Sequence, residues 1–385
     1  MTQLSRLAVL GIAKESTPGT YVVPTSYIPF TKADFEDQYS EIKDESIRAN
    51  DSVLQGVYQG PVVAHWSIDM LAYPDLVGHF LASMIGPDTI TPGVSTTLSS
   101  SSSASATTIS TAATIAANSW ITIDTGNNLE YAKVTAVTGS GPYTLTVTTS
   151  DSAAVGLTKA HTSGATVVSQ TTHTFKQNPA APNPTLSITV FDTLQTLSYS
   201  YAAISDLSLK IDPKGAVTSS AKFTTLPGIA ASAMTPTFTS TAPVLGWQWT
   251  MTNAGGASTR GLSYDLNLKR TVDPIHSSDG TQAARENFQG PITVDGSYKA
   301  IFENQTDLNL YTQYTQLPAT ATLQQPTAVG GQSLVLTMSK SGWVKGKREI
   351  GGSYVQASFS LSGIYNTTDG GSVSAVLKNF RTTAF

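Results

Sequence analysis

The chain has 385 residues, 40% of them hydrophobic and only 12% charged, with no cysteine and a formal net charge of -4. Charge this sparse is about half the share of an average soluble protein, so the surface falls to Ser, Thr, Gly and Asn. Without cysteine there are no disulfide staples, zinc-thiolate sites or iron-sulfur clusters, and without a basic field tight grip on a phosphate backbone is excluded.

No run of about 18 apolar residues occurs, and Met1-Thr2-Gln3-Leu4-Ser5-Arg6-Leu7 lacks the apolar stretch of a signal peptide. The expectation is a chain made and kept in the cytosol, with no membrane insertion, in which the sequons at Asn304 and Asn366 are chance. Residues up to about 60 predict an extended arm, with turns at Pro18-Gly19 and Pro24 to Pro29 around Thr20-Tyr21-Val22-Val23. From Gly60 to Met70, Val62, Ala64, Trp66 and Ile68 share one face and Val63, His65 and Ser67 the other, a half-buried strand. After Pro74, apolar pairs at Leu76-Val77, Phe80-Leu81 and Met84-Ile85 predict a short amphipathic helix that stops at Gly86-Pro87.

At about residue 93 the composition turns to Ser, Thr and Ala. Strand signals at Trp120-Ile121-Thr122-Ile123 and Tyr143-Thr144-Leu145-Thr146-Val147 mark 93–172 as an inserted small β-domain. Within it, 99–117 reads either as a flexible linker or as a β-edge through Thr107-Thr108-Ile109 and Thr114-Ile115. The Pro-rich run 178–184 returns the chain to the main body.

Beyond it strands dominate. Leu186-Ser187-Ile188-Thr189-Val190 alternates, Tyr199 and Tyr201 share a face, and Leu207, Leu209 and Ile211 line one side before a turn at Asp212-Pro213-Lys214-Gly215. Trp247 and Trp249 predict one strand face, hairpinned across Gly255-Gly256 to Leu262, Tyr264, Leu266 and Leu268. A second helix is expected within 304–315. Residues 334–338 and 355–365 read as long strands joined through a basic loop at 342–348, with 372–377 as the last strand and Phe380 and Phe385 near the sheet. The fold class is mainly β: an antiparallel β-sandwich or barrel domain with one or two short helices, built from 1–92 and 173–385, plus the insert.

Catalytic patterns are missing. No G-x-S-x-G elbow appears, and His65, His79, His161, His173 and His276 avoid the spacings that put two imidazoles on one metal. Gly342 to Lys347 falls one residue short of a phosphate loop and reads as a hairpin tip; Asp124 to Glu130 offers oxygens without the calcium-loop spacing and reads as a turn. Neither a catalytic residue, a cofactor nor a metal is assigned. The basic group Lys340, Lys345, Lys347 and Arg348 reads as a solvated loop or a subunit contact.

Leu10-Gly11-Ile12-Ala13-Lys14-Glu15-Ser16-Thr17-Pro18-Gly19-Thr20-Tyr21-Val22-Val23-Pro24-Thr25 resembles the opening of tail tube proteins of long-tailed bacteriophages. Tyr27-Ile28-Pro29-Phe30, Asp44-Glu45-Ser46-Ile47-Arg48, the Pro74 helix and the 157–167 phrase of the insert are similar to the same layout. The resemblance implies a structural virion protein and no enzyme: six copies per ring, strands given to a continuous inner β-barrel, and stacked rings in a virion tail assembled in the host cytoplasm. It also implies a tape-measure protein, a tail terminator and tail-tip proteins as partners, with DNA only in transit. The assembly contacts expected on this reading are Leu10, Ile12, Tyr21 and Pro24 of the arm, Leu76 and Phe80 of the helix, and Trp343, Lys345, Lys347 and Arg348.

Such a ring would cover sheet edges that are a liability in a monomer, and a Ser/Thr-rich inner wall would not hold phosphates. The alternatives are a tail-tip adhesin that stacks a host glycan on Trp120 or Tyr143, and a secreted polysaccharide-degrading enzyme. The second lacks both a paired-acid face and an export signal.

Overall fold

The computed structural model describes residues 4–253 and 256–385. Among the described residues the main sheet has 18 strands, Asp88–Thr91, Thr171–Lys176 and Ser374–Asn379 included. Six others build its first part: β1 (Val9–Lys14), β2 (Phe30–Asp44), β3 (Gly56–Leu71), β4 (Leu186–Phe191), β5 (Thr196–Ile211) and β6 (Thr218–Thr225). Six more build the second: β7 (Trp249–Asn253), β8 (Gly261–Ile275), β9 (Glu286–Ile301), β10 (Leu317–Gln324), β11 (Ser333–Glu349) and β12 (Gln356–Gly363). Helix α1 (Val77–Met84) follows β3 and α2 (Thr306–Thr312) follows β9. The fold is mainly β, and its ladders are antiparallel.

The two halves repeat each other. The β2–β3 register slips between Phe30 and Lys32 and again between Tyr39 and Glu41; β8–β9 slips at the same two places along the strand, Gly261/Ser263 and Arg270/Val272. The β5–β6 slip at Ile204/Asp206 recurs in β11–β12 at Trp343/Lys345. That of β4–β5 at Leu186/Ile188 recurs in β10–β11 at Leu317/Ala319. A β-bulge costs a local ladder bond and re-aims the strand, so bulges held at equivalent positions mark equivalent units. Each repeat contributes four long strands, and the eight lie side by side in the order β2-β3-β6-β5-β8-β9-β12-β11. Behind them β1 pairs with β4 and β7 with β10.

One face of this sheet forms the core. Ala64, Trp66, Ile68 and Met70 of β3 are buried, as are Leu207, Leu209 and Ile211 of β5 and Tyr264, Leu266 and Leu268 of β8, as their two-residue spacing predicts. Trp66 stacks on Phe35 at 4.6 Å and meets Tyr199 edge-on at 4.8 Å. Burial of each such side chain stabilises the fold by roughly 1.5–3 kcal/mol. Helix α1 forms where Pro74 and the apolar spacing place it, but all eight of its residues are buried, His79 and Ser83 included, so it is a core helix rather than an amphipathic one. At its C-terminus the Met84 carbonyl accepts from Arg270 Nη2 of β8 (2.5 Å), which ties the second repeat to the first.

The smaller sheet runs through Ser95–Thr97, Thr166–Ser169, Trp120–Ile123, Glu130–Thr138, Tyr143–Thr148 and Thr108–Thr111. A bridge between Leu98 and Thr111 joins its two edges into a small barrel around Ile121, Val134, Leu145 and Val167. Residues 108–111 are therefore an ordered edge strand rather than a linker, while Thr114 and Ile115 lie outside strands.

Several expectations are corrected. The charged stretch after Phe30 is half of a long hairpin, β2–β3, rather than an arm; both faces beyond Phe35 are polar or exposed, so no alternation announces it. Ser187 and Thr189 are buried, because residues 15–22 cover that side of β4. Tyr199 and Tyr201 are parted by the bulge, where Tyr201 adopts φ 55°. Gly246–Gln248 is a 3-10 turn that leaves Trp247 62% exposed while Trp249 is buried, and β7 pairs with β10 rather than β8. The Gly255 half of the expected Gly255-Gly256 turn lies outside the described residues. The basic residues 340–348 lie within β11 itself, not in a loop or hairpin tip, because the strand continues unbroken to Glu349 against β12.

Candidate assembly interface

Two long strand edges of the eight-stranded sheet are unpaired among the described residues. The outer edge of β2 faces away from β3 along Phe30–Asp44, and the outer edge of β11 beyond Ser341 faces away from β12. Unpaired N–H and C=O rows of this length are templates for another strand. The two differ in charge. β2 carries Asp34, Glu36 and Asp37, all exposed; β11 carries Lys345, Lys347 and Arg348, all exposed. At the far end of the β2–β3 hairpin, apolar side chains stand in solvent: Ile47 is 99% exposed, Val53 73% and Tyr58 58%. Exposed apolar groups clustered on one projection mark an interaction surface.

The residues expected to make assembly contacts divide. Lys345, Lys347 and Arg348 lie on the free β11 edge, and Tyr21 and Pro24 lie at the surface of the arm. Leu10, Ile12, Leu76, Phe80 and Trp343 are 0–4% exposed and belong to the chain's own core. The acidic run of β2, facing outward on the other free edge, was not read from the sequence. Its signal is acid at alternating positions, Asp34 and Glu36, followed by Asp37.

The arm is fixed by one buried carboxylate. Glu15 accepts from Gly19 N (2.8 Å), Tyr201 N (2.8 Å), Thr185 Oγ1 (2.6 Å) and Ser187 Oγ (2.9 Å). Gly19 has φ 82° against the Tyr201 ring, where a Cβ would lie 2.9 Å from Cδ2. Glu15 and Gly19 of the 10–25 motif thus have local structural reasons.

The smaller sheet is clamped to the loop after β10. Asp151 accepts from Thr327 N (2.9 Å) and Thr327 Oγ1 (2.5 Å), Trp120 Nε1 donates to Thr327 Oγ1 (2.9 Å), and Gln170 Nε2 donates to Gly330 O (2.9 Å). The Trp120 ring lies over Gly331, so it is not a free stacking platform.

The oxygen-rich turn is consumed internally. Asn128 Nδ2 and Thr125 N donate to Asp124, and these bonds hold its carboxyl below the usual range. Burial opposes ionisation of Glu130, but Thr158 N (2.6 Å), His161 and the Thr158 hydroxyl outweigh it and lower its pKa. His173 is similarly enclosed, with Nδ1 at 2.7 Å from Asp88 and Nε2 at 3.1 Å from Asn379 Oδ1.

A family model described as phage tail tube protein matches residues 5–363. No curated protein matches the chain.

Proposed function

Because this chain belongs to the phage tail tube protein family, we propose that it assembles with copies of itself into rings of six sheet repeats, stacked into the hollow conduit of a virion tail. The long sheet with two unpaired edges of opposite charge carries the reading, since it is a surface incomplete without a neighbour. The exposed apolar tip of β2–β3 supplies a second contact, to an adjacent ring.

The face of the sheet turned away from the core suits a lumen wall. Reading across strands, Asp34, Ser67, Lys222, Asp206, Lys269 and Thr293 stand directly opposite one another in one row. Another row runs Thr218, Lys210, Asp265, Ser297, Ser360 and Lys345. Charges of both signs lie on adjacent strands about 5 Å apart, well inside the screening length of roughly 8 Å. Their fields cancel locally, and the hydroxyls between them offer no continuous basic track. DNA can pass such a wall without being held.

The tape-measure, terminator and tip proteins that the family resemblance implies are the partners on this reading, and no catalytic step is required of the chain. The adhesin alternative loses Trp120, whose indole is committed to Thr327 and Gly331. Sedimentation velocity over a concentration series tests the reading: ring-sized and larger species growing with concentration are expected, and a single 40.4 kDa species at all concentrations would refute it.

A further inference from the structure

Inside the chain one sheet junction is already made. β5, the last wall strand of the first repeat, pairs antiparallel with β8, the first of the second, with Asp206 opposite Lys269, Ser208 opposite Asn267 and Lys210 opposite Asp265. The strand equivalent to β5 in the second repeat is β11, and the one equivalent to β8 in the first is β2. These are the two strands with free edges. The molecule therefore shows how its repeats join and ends in the two halves of one more such joint.

We infer that the chain is a tandem duplication of one wall unit, and that the ring of six repeats is closed by three chains, each β11 pairing with β2 of the next copy as β5 pairs with β8. The count of three rests on the six-repeat ring proposed above; the joint itself rests on the repeat geometry.

Carrying the internal register across by equivalent positions sets Lys345 opposite Gln38, Gly346 opposite Asp37, Lys347 opposite Glu36, Arg348 opposite Phe35 and Glu349 opposite Asp34. The charges fit at most of these positions: Lys347 meets a carboxylate directly, and Arg348 and Lys345 flank Asp37 and Glu36. The one like-charged pair, Glu349 with Asp34, is offset within each chain, since Glu349 is bridged by Lys299 at 3.4 Å and Asp34 by Lys32. Opposite charges facing across strands favour a pair and like charges oppose it. Two β2 edges, or two β11 edges, would set like charges against each other, so the surface favours a head-to-tail joint over a twofold one. Gly346 fits as well: where the first repeat has Leu207, the second has no side chain, and the Tyr311 ring of α2 fills that space, 2.9 Å from where a Cβ would stand.

Native mass spectrometry of the unmodified protein gives the stoichiometry. A ring of three times 40.4 kDa is expected. A ring of six chains would overturn the inference while leaving the ring reading intact, and absence of any ring would overturn both. Because the chain has no cysteine, the joint is tested separately by Glu36→Cys combined with Lys347→Cys, which directly opposed strand positions place within bridging distance. Oxidation is expected to give reducible dimers and closed trimers on a denaturing gel. Asp37→Cys with Lys347→Cys, whose side chains point to opposite faces, is expected to give several-fold less. Equal yields from the two pairs would overturn the register, and a ladder running past three chains would overturn the closure.

Discussion

Replacing Glu15 by Ala removes the acceptor shared by four donors, two of them backbone N–H groups that cannot turn elsewhere, those of Gly19 and Tyr201. The Thr185 and Ser187 hydroxyls can rotate to other partners, so most of the loss falls on the amides. An orphaned buried donor costs about 1–3 kcal/mol, which for two gives roughly 2–4 kcal/mol once water reaching the exposed side of the arm is allowed for. Tyr201 lies in the left-handed region at φ 55°, a conformation kept only where its surroundings enforce it. Loss of its N–H bond therefore loosens the β4–β5 bulge together with the arm. In urea unfolding the first transition of Glu15→Ala should fall by on the order of 1 M, and Glu15→Gln, which keeps one carbonyl oxygen, by about half as much. Protease cleavage within 15–25 should accelerate in parallel. A Glu15→Ala protein with an unchanged midpoint and an uncleaved arm would refute the claim that this carboxylate holds the arm down.

Burial, aided by Arg381 and Lys14, lowers the His79 pKa to about 3. The unfolded chain then binds a proton that the folded chain refuses between about pH 6.5 and 3, so this group's contribution is complete above 6.5 and is lost as pH falls. Relative to His79→Leu, the wild type should lose up to roughly 1.4 kcal/mol per pH unit in that window, read from urea midpoints at pH 7, 5 and 4; parallel pH profiles would contradict it. Gly331 has φ 58°, and a Cβ there would lie 2.0 Å from Trp120 Cδ1. Gly331→Ala should therefore displace Trp120 and raise amide exchange at 327–331 by tenfold or more, whereas unchanged protection would mean that the clamp does not depend on this contact. Trp249→Ser should cost about 3–5 kcal/mol as a buried aromatic while Trp247→Ser stays within about 0.5 kcal/mol; thermal unfolding of the pair checks the 3-10 turn that separates them.

Much of the fold was legible where one face of a strand is buried and the other is wet, as in 62–70, 207–211 and 264–268. Helix α1 was legible from Pro74 and the paired apolar spacing. Three features were not. Leu186 to Val190 is buried on both faces because the arm lies across it, and a strand covered twice loses its alternation. The β2–β3 hairpin beyond Phe35 has no buried face in a single chain, so its pattern is that of a polar arm. The duplication shows in residue identity only locally: Gln59-Gly60-Pro61 of β3 recurs as Gln289-Gly290-Pro291 of β9, too short a match to announce a repeat, while Trp66 corresponds to Gly296 and Leu207 of β5 to Gly346 of β11. Pairing register and bulge position are kept by backbone geometry, and many side-chain sets satisfy them.

The same reasoning accounts for the interface residues. Apolar side chains such as Leu10, Ile12, Leu76 and Phe80 look like contact residues when the partner element is unknown, but the chain's own second layer takes them. The charged groups of β11 stand out by residue type, but the sequence around them predicts a loop. Their significance comes from position, on the edge of a sheet whose other edge is acidic.

Electron microscopy of the purified protein at rising concentration tests the account most directly. Hollow rings and tubes whose end-on averages show six wall units around the lumen are predicted; persistent monomers or solid, irregular aggregates at every concentration would contradict it.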